Sequence, residues 1–154
     1  MTVRSVPASV VHPLRTRILR PAWRDRLAVN PEDSLPEAYH VAAFDGGTVI
    51  GCATIYPEAP PERHRGAIPD AAFEPGASVR LRGMATADEA RGTGAGRALL
   101  EACFDHARDQ GHTHLWCNAR IGALGFYEHL GLSTVGDEFD LPEIGGHYVM
   151  WLPL

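Results

Sequence analysis

Six consecutive residues, Arg91-Gly92-Thr93-Gly94-Ala95-Gly96, have the composition of an anion-binding turn. Glycine lets the backbone approach a ligand closely. The run ahead, Leu99, Leu100, Cys103, Phe104 and Ala107, recurs at helical spacing, so the turn opens a helix. The first N–H groups of a helix have no internal acceptor, and the helix dipole favours negative charge at that end. Arg91 and Arg97 add local positive charge. The chemistry this implies is the holding of a phosphate or pyrophosphate. Two common phosphate patterns are absent. No Gly-Lys pair completes G-x-x-x-x-G-K-[ST]. In G-x-G-x-x-G, the third glycine would fall on Arg97 or Leu99, depending on the starting glycine.

Other reactive residue types carry weaker signals. Cys52, Cys103 and Cys117 form no CxxC pair, and their odd number argues against a disulfide framework or a structural zinc site. A reducing cytoplasm is the expected compartment. Cys117 is open to two readings, a buried core thiol or a nucleophile. His112 and His114 share one face of a strand, but two ligands without a third read as a surface pair, so no metal is expected.

These groups must be positioned by a small domain. The chain has 154 residues, 45% hydrophobic and 21% charged, which suits one globular domain over 1–154. A net charge of −5 disfavours a general nucleic-acid surface, and no apolar stretch reaches membrane-spanning length. The first twenty residues lack the pattern of a signal peptide.

The expected elements are a strand at 2–6, a helix at 10–19 with Pro13 in its first turn, and a hairpin of 39–44 and 48–56 about Asp45-Gly46-Gly47. The prolyl segment 57–77 reads as a lid or substrate-side loop, with a plain solvated connection as the alternative. Then follow a strand at 78–85, the glycine turn, a helix at 93–110 stopped by Gly111, a strand at 113–118, a short helix at 123–130 stopped by Gly131, and strands at 132–139 and 147–152. That order describes an α/β sandwich with a mixed sheet.

The glycine turn with its flanking arginines resembles the coenzyme A pyrophosphate loop, Q/R-x-x-G-x-G/A, of the GNAT superfamily of N-acetyltransferases. Arg91, Gly94 and Gly96 match it directly. Ala123-Leu124-Gly125-Phe126-Tyr127-Glu128-His129-Leu130-Gly131-Leu132 is similar to the family's A-x-x-F-Y-x-x-x-G-F, with Leu132 in place of the final Phe. The ending from Phe139 through Ile144 and His147 to Met150 is similar to that of a bacterial subgroup of poorly defined substrate. The resemblance is strong from Ser78 to Leu132 and weak before Thr48. It implies the GNAT fold: a mixed, mostly antiparallel sheet flanked by helices, with a V-shaped cofactor cleft between two parallel strands.

It also implies acetyl-CoA as cosubstrate. Arg91, Gly92, Thr93, Gly94, Ala95, Gly96 and Arg97 would hold the pyrophosphate. The backbone of Met84, Ala85 and Thr86 would pair with the pantetheine arm and polarise the thioester. Asn118 would bind a pantetheine amide, or else cap the next helix. Phe126 and Tyr127 would lie at the cofactor, Tyr127 giving a proton to the departing thiolate, as a phenol protonated at pH 7 can. Many members carry a Glu on the fourth strand as base; here Arg80 and Arg82 stand there, and arginine does not act as a base at neutral pH. Either a water chain to Glu58, Glu74 or His147 takes the proton, or Arg80 and Arg82, with His147, bind an anionic acceptor. The expected activity is therefore acetyl transfer to the amine of a small, anionic acceptor. Acetylation of protein N-termini or lysines and a non-catalytic CoA-binding module are the alternatives. Family members are often homodimers, so a homodimer through C-terminal strand edges is a further expectation.

Overall fold

The computed structural model describes residues 1–154. Its strands are β1 (Thr2–Ser5), β2 (Tyr39–Asp45), β3 (Thr48–Pro57), β4 (Ser78–Thr86), β5 (His114–Arg120), β6 (Ser133–Leu141) and β7 (Gly145–Pro153). The α-helices are α1 (Ala8–Leu19), α2 (Ala95–Asp109) and α3 (Leu124–His129). One seven-stranded sheet has the order β1-β2-β3-β4-β5-β7-β6, and only the β4–β5 ladder among the described pairings is parallel. The expected mixed, mostly antiparallel α/β sheet is the one observed. Contacts within the chain gather into two compact units, residues 1–56 with 82–106 and residues 57–81 with 107–154.

In the first unit, β2 and β3 form the expected hairpin. Gly46 takes φ +60° in its turn, and Asp45 pairs with Thr48. Side chains alternate across a strand, so β3 presents two different faces. Cys52 and Thr54 meet α1: the Cys52 thiol lies 3.8 Å from the Val11 carbonyl, and the Thr54 hydroxyl bonds to Arg15. Gly51 faces α2, where a Cβ would stand 2.7 Å from Leu99 Cδ1, so a side chain here would require Leu99 to shift. Val11, Leu14, Leu99, Leu100 and Cys103 are buried on these helices. Helix α1 begins at Ala8, two residues earlier than expected, which puts Pro13 in its second turn rather than its first. The proline N lacks the hydrogen to bond the Ser9 carbonyl there.

In the second unit, β5, β7 and β6 form an antiparallel sheet in which β7 is central. Its core joins Ile68, Ala72 and Phe73 to Trp116, Val135 and Val149. The first three belong to segment 57–77, expected as a lid or substrate-side loop or a solvated connection, and it is more than a solvated connection. It carries 3₁₀ turns at Glu62–His64 and Asp70–Phe73 and lays its apolar residues into the core. Ser78 Oγ donates to the Ala72 carbonyl, and His64 packs beneath Gly136, where φ is +70° and a Cβ would lie 2.5 Å from the ring. The many prolines obscured this, because they remove helical and strand periodicity without removing apolar burial. Helix α2 ends as expected: Gly111 has φ +84° and the His112 N–H reaches the Ala107 carbonyl.

Candidate functional site

The glycine turn has an open geometry. Gly92 and Gly94 take φ +78° and +86°, with nothing within 4 Å of a Cβ placed on either. These left-handed backbones favour glycine, and the free space above them is what close approach of a ligand requires. The Ala98 N–H bonds the Gly94 carbonyl, so α2 starts its ladder here and the amides of Ala95, Gly96 and Arg97 precede the first helical bond. Arg91 and Arg97 are exposed. Each meets a carboxylate of its own segment, Arg91 with Asp88 at 3.3 Å and Arg97 with Glu101 at 2.8 Å. Exposed pairs of this kind contribute little, so both guanidiniums are free to turn to a stronger anion.

Strand β4 carries a kink at Gly83, where φ is +65°. The cause lies beneath it. A Cβ on Gly83 would stand 2.4 Å from Arg15 Nε, so a buried guanidinium fills the place of a side chain. Arg15 donates through one terminal nitrogen to Asp33 Oδ2 at 2.6 Å and to the Ala28 carbonyl. Through the other it donates to Asp33 Oδ1 at 3.2 Å and to Thr54 Oγ1 at 2.9 Å. The Thr54 hydroxyl then donates to His40 Nδ1, and His40 Nε2 donates to the Asp33 carbonyl. Asp33 Oδ2 also accepts from His12 and from the Asn30 N–H. Burial would raise the Asp33 carboxyl. The hydrogen bonds from Arg15 and Asn30, the Arg15 charge and the His12 bond outweigh burial and hold it below its usual value. Met84 and Thr86 are half-buried and Ala85 is buried.

Arg82 and Arg80, both on β4, each have a carboxylate neighbour. Arg82 lies 3.8 Å from Glu32 and 3.4 Å from the Tyr56 hydroxyl. Arg80 bonds Glu58 at 3.2 Å and its guanidinium sits 4.9 Å from the centre of the Trp116 ring, while the Trp116 N–H donates to the Glu58 carbonyl. Asp33, Arg15 and Glu32 are absent from the residues that the sequence singles out: segment 24–36 is polar with two prolines and reads as a loop or irregular helix, and Arg15 lies in the expected helix 10–19. One signal was available: Asn30-Pro31 followed by Asp33 is a turn-starting pattern, and Asp33 does accept the Asn30 N–H. Nothing in the sequence marks Arg15 as buried among the other arginines.

In the second unit, the β4–β5 ladder is short, pairing Ser78, Val79 and Arg80 with His114, Leu115 and Trp116. Strand β5 continues to Asn118, whose Oδ1 is buried with no hydrogen-bond partner. That matters, because a buried acceptor is normally satisfied. Tyr127 is buried on α3, edge-on to Phe126 at 5.2 Å. Burial lowers the Arg120 pKa, and its charge interacts with Tyr127 in the opposite sense. His147 is buried, stacks on Phe139 and donates from Nδ1 to the Gly145 carbonyl at 2.7 Å. A carbonyl only accepts, so neutral His147 keeps Nε2 as its acceptor.

Burial pushes the Cys117 thiol up to about 12, against the lowering effect of the Arg80 charge, which suits the core reading. His112 and His114 do not form a surface pair. His114 is buried and bonds Thr113, and His112 bonds the Gly76 carbonyl. Each ring is committed to its own neighbour. No group of three His, Cys, Asp or Glu residues stands close enough to hold a metal.

A sequence model of the acetyltransferase (GNAT) family matches residues 9–132. The chain is 31% identical over 154 residues to the uncharacterized N-acetyltransferase YitI of Bacillus subtilis, covering all of this chain and 97% of that one. Among solved structures, a GCN5-related N-acetyltransferase from Kribbella flavida matches with a TM-score of 0.70 and 23% identity, over 99% of this chain and 97% of that one. An aminoglycoside 6'-N-acetyltransferase complexed with coenzyme A matches with a TM-score of 0.70 and 13% identity, over 99% and 97%. A family match over most of the chain, joined to a sheet of this order and a glycine turn of this geometry, has one reading: the chain belongs to the acetyltransferase (GNAT) family and is an acetyl-CoA-dependent N-acetyltransferase.

Proposed function

We propose that the protein transfers an acetyl group from acetyl-CoA to the amine of a small acceptor by direct attack. The observation that carries the reading is the turn at Arg91–Gly96, whose two left-handed glycines face open space immediately before a helix flanked by cations. Bound there, acetyl-CoA supplies an activated acyl group as a thioester. The amides of residues 95–97 and the guanidiniums of Arg91 and Arg97 would neutralise its pyrophosphate. The backbone from Met84 to Thr86 would pair with the pantetheine arm, with one N–H stabilising charge on the carbonyl oxygen. The unpartnered Asn118 Oδ1 fits a pantetheine amide N–H better than a helix cap, since it meets no helix N–H in its present position. Phe126 would flank the cofactor. Tyr127, buried on α3 beside Phe126, would give its proton to sulfur.

On the acceptor side, Arg80 and Arg82 each already meet a carboxylate, so their surroundings lend an anionic acceptor little support. His147, with a free acceptor nitrogen, remains a proposed acceptor-side residue.

The test is thermal unfolding with acetyl-CoA, with ATP and NAD as controls. At 100 times its Kd, a ligand of the folded state adds about 2.7 kcal/mol, a shift of several degrees. A shift with acetyl-CoA alone is expected, followed by thiol release when amines are added. Equal shifts with ATP or NAD, or none with acetyl-CoA, would overturn the reading.

A further inference from the structure

The proposed reaction needs a group to receive the proton of the attacking amine, and the charged side chains of strand β4 are arginines. The first unit supplies a carboxylate from elsewhere. Glu32 lies in the 3₁₀ turn Pro31–Ser34, with Oε1 3.8 Å from Arg82 on β4. Its other oxygen, Oε2, is buried and has no hydrogen-bond partner, although the side chain as a whole is 31% exposed. A carboxylate with one oxygen held near a cation and the other unpaired is an acceptor waiting for a donor.

Its position is not a loose one. Asp33, the next residue, is locked to Arg15 by two hydrogen bonds, and Arg15 fills the space beneath Gly83. The Leu35 N–H closes the turn onto the Glu32 carbonyl. Consecutive carboxylates therefore bracket consecutive β4 residues, Asp33 through Arg15 at Gly83 and Glu32 at Arg82. Both lie one or two residues before the Met84–Thr86 backbone to which the reaction is assigned.

We propose that Glu32 binds the acceptor as an ammonium ion and takes its proton, so that the preferred acceptors are cationic primary amines without a carboxylate. The proposal rests on the acetyltransferase reading above. In the step, an N–H bond of the ammonium breaks and an O–H bond forms at Glu32 Oε2. The freed lone pair forms the C–N bond as the thioester C–S bond breaks. The amide nitrogen sheds a second proton, sulfur gains one, and Glu32 returns the first to solvent through its exposed edge. The sum is one amide, one thiol and one proton released. Arg82 then serves to orient Glu32 rather than to bind an anionic substrate.

The test compares n-butylamine with 4-aminobutanoate as acceptors, in the unsubstituted protein and in E32Q and E32D, by thiol release across pH, with the acetyl-CoA thermal shift measured on each variant. The expected result is turnover of butylamine over 4-aminobutanoate. E32Q should lose about 100-fold in kcat/KM for butylamine and the ascending acid limb of its pH profile, E32D should recover part of both, and the acetyl-CoA shift should be unchanged in each. An unaltered kcat/KM in E32Q, preference for 4-aminobutanoate, or turnover of neither amine by a protein that binds acetyl-CoA would overturn the assignment to Glu32. Absence of an acetyl-CoA shift in the unsubstituted protein would instead remove the acetyltransferase reading beneath it.

Discussion

Single residues in this protein are separated into roles by what surrounds them rather than by their type. Cys117 and Asn118 are neighbours on β5. The thiol is buried and held protonated, while the amide presents a buried oxygen with nothing bound to it. One is packing and the other is an open hydrogen-bond acceptor. Cys117→Ala should therefore keep acetyl transfer within a few fold, and native protein should leave all three thiols unlabelled by iodoacetamide at pH 8, since burial also pushes Cys52 and Cys103 up to about 11 and about 12. Rapid labelling with loss of activity would restore a covalent role. Asn118→Ala, by contrast, should raise KM for acetyl-CoA and barely alter stability, because it removes an acceptor that the folded protein alone leaves unpaired.

At the scale of elements, two glycines with similar backbones do different work. Gly83 and Gly94 both have positive φ. A methyl group at Gly83 meets a buried guanidinium, whereas one at Gly94 meets nothing. Replacing Gly94 by Ala should cost only the left-handed strain, about 1–2 kcal/mol, and weaken acetyl-CoA by obstructing close approach. Replacing Gly83 by Ala adds displacement of Arg15 to the same strain and should cause the larger loss of stability, with activity falling as the β4 kink shifts. Urea unfolding and KM for acetyl-CoA, measured on both variants, separate the two; equal stability losses would contradict this division of roles. The β6 edge bears on assembly. It carries a register shift between Val135 and Phe139 and the charges Asp137, Glu138 and Asp140. Bulges and like charges oppose strand-to-strand pairing, so this edge is not the apolar one that a dimer through the C-terminal strands requires.

Over the whole molecule, the buried titratable groups set a direction for pH dependence. Asp33 is held below its usual 3.8, so its contribution is complete above that value and is lost as pH falls through the lower folded value. Burial also lowers His64 and His114 from 6.5, and Arg63 adds to this at His64. A histidine lowered on folding binds protons more readily when unfolded, so its contribution is complete above 6.5 and declines as pH drops from there toward the folded value. All three shifts weaken the fold in acid. Stability should fall first below about pH 6.5 and again below about pH 4, as read by urea unfolding from pH 8 to 3. His64→Leu should flatten the first step. Asp33→Asn should abolish the second and lower stability at pH 7 by about 3–5 kcal/mol, because it leaves the Arg15 charge buried without its counterion. A profile flat to pH 4 in the unsubstituted protein would contradict the first of these.

Local information in the sequence determined the hairpin at Gly46, the stop of α2 at Gly111, the opening of that helix by the glycine turn, and the α/β order, because turn chemistry and periodicity act over a few residues. It likewise contained the glycine turn at Arg91–Gly96 that is proposed to hold the cofactor. Segment 57–77 had no period to read, and its burial arises from Trp116, Val135 and Val149, which follow its buried Phe73 by more than forty residues. The proposed acceptor side depends on groups equally far apart in the chain. Arg15 meets Thr54 and lies under Gly83, and Glu32 meets Arg82. Which of fourteen basic residues is buried, and which carboxylate reaches the arginines of β4, is a matter of tertiary packing. Charge and hydrogen-bond partners are chosen by distance in space, and only the folded chain brings those distances within a few ångströms.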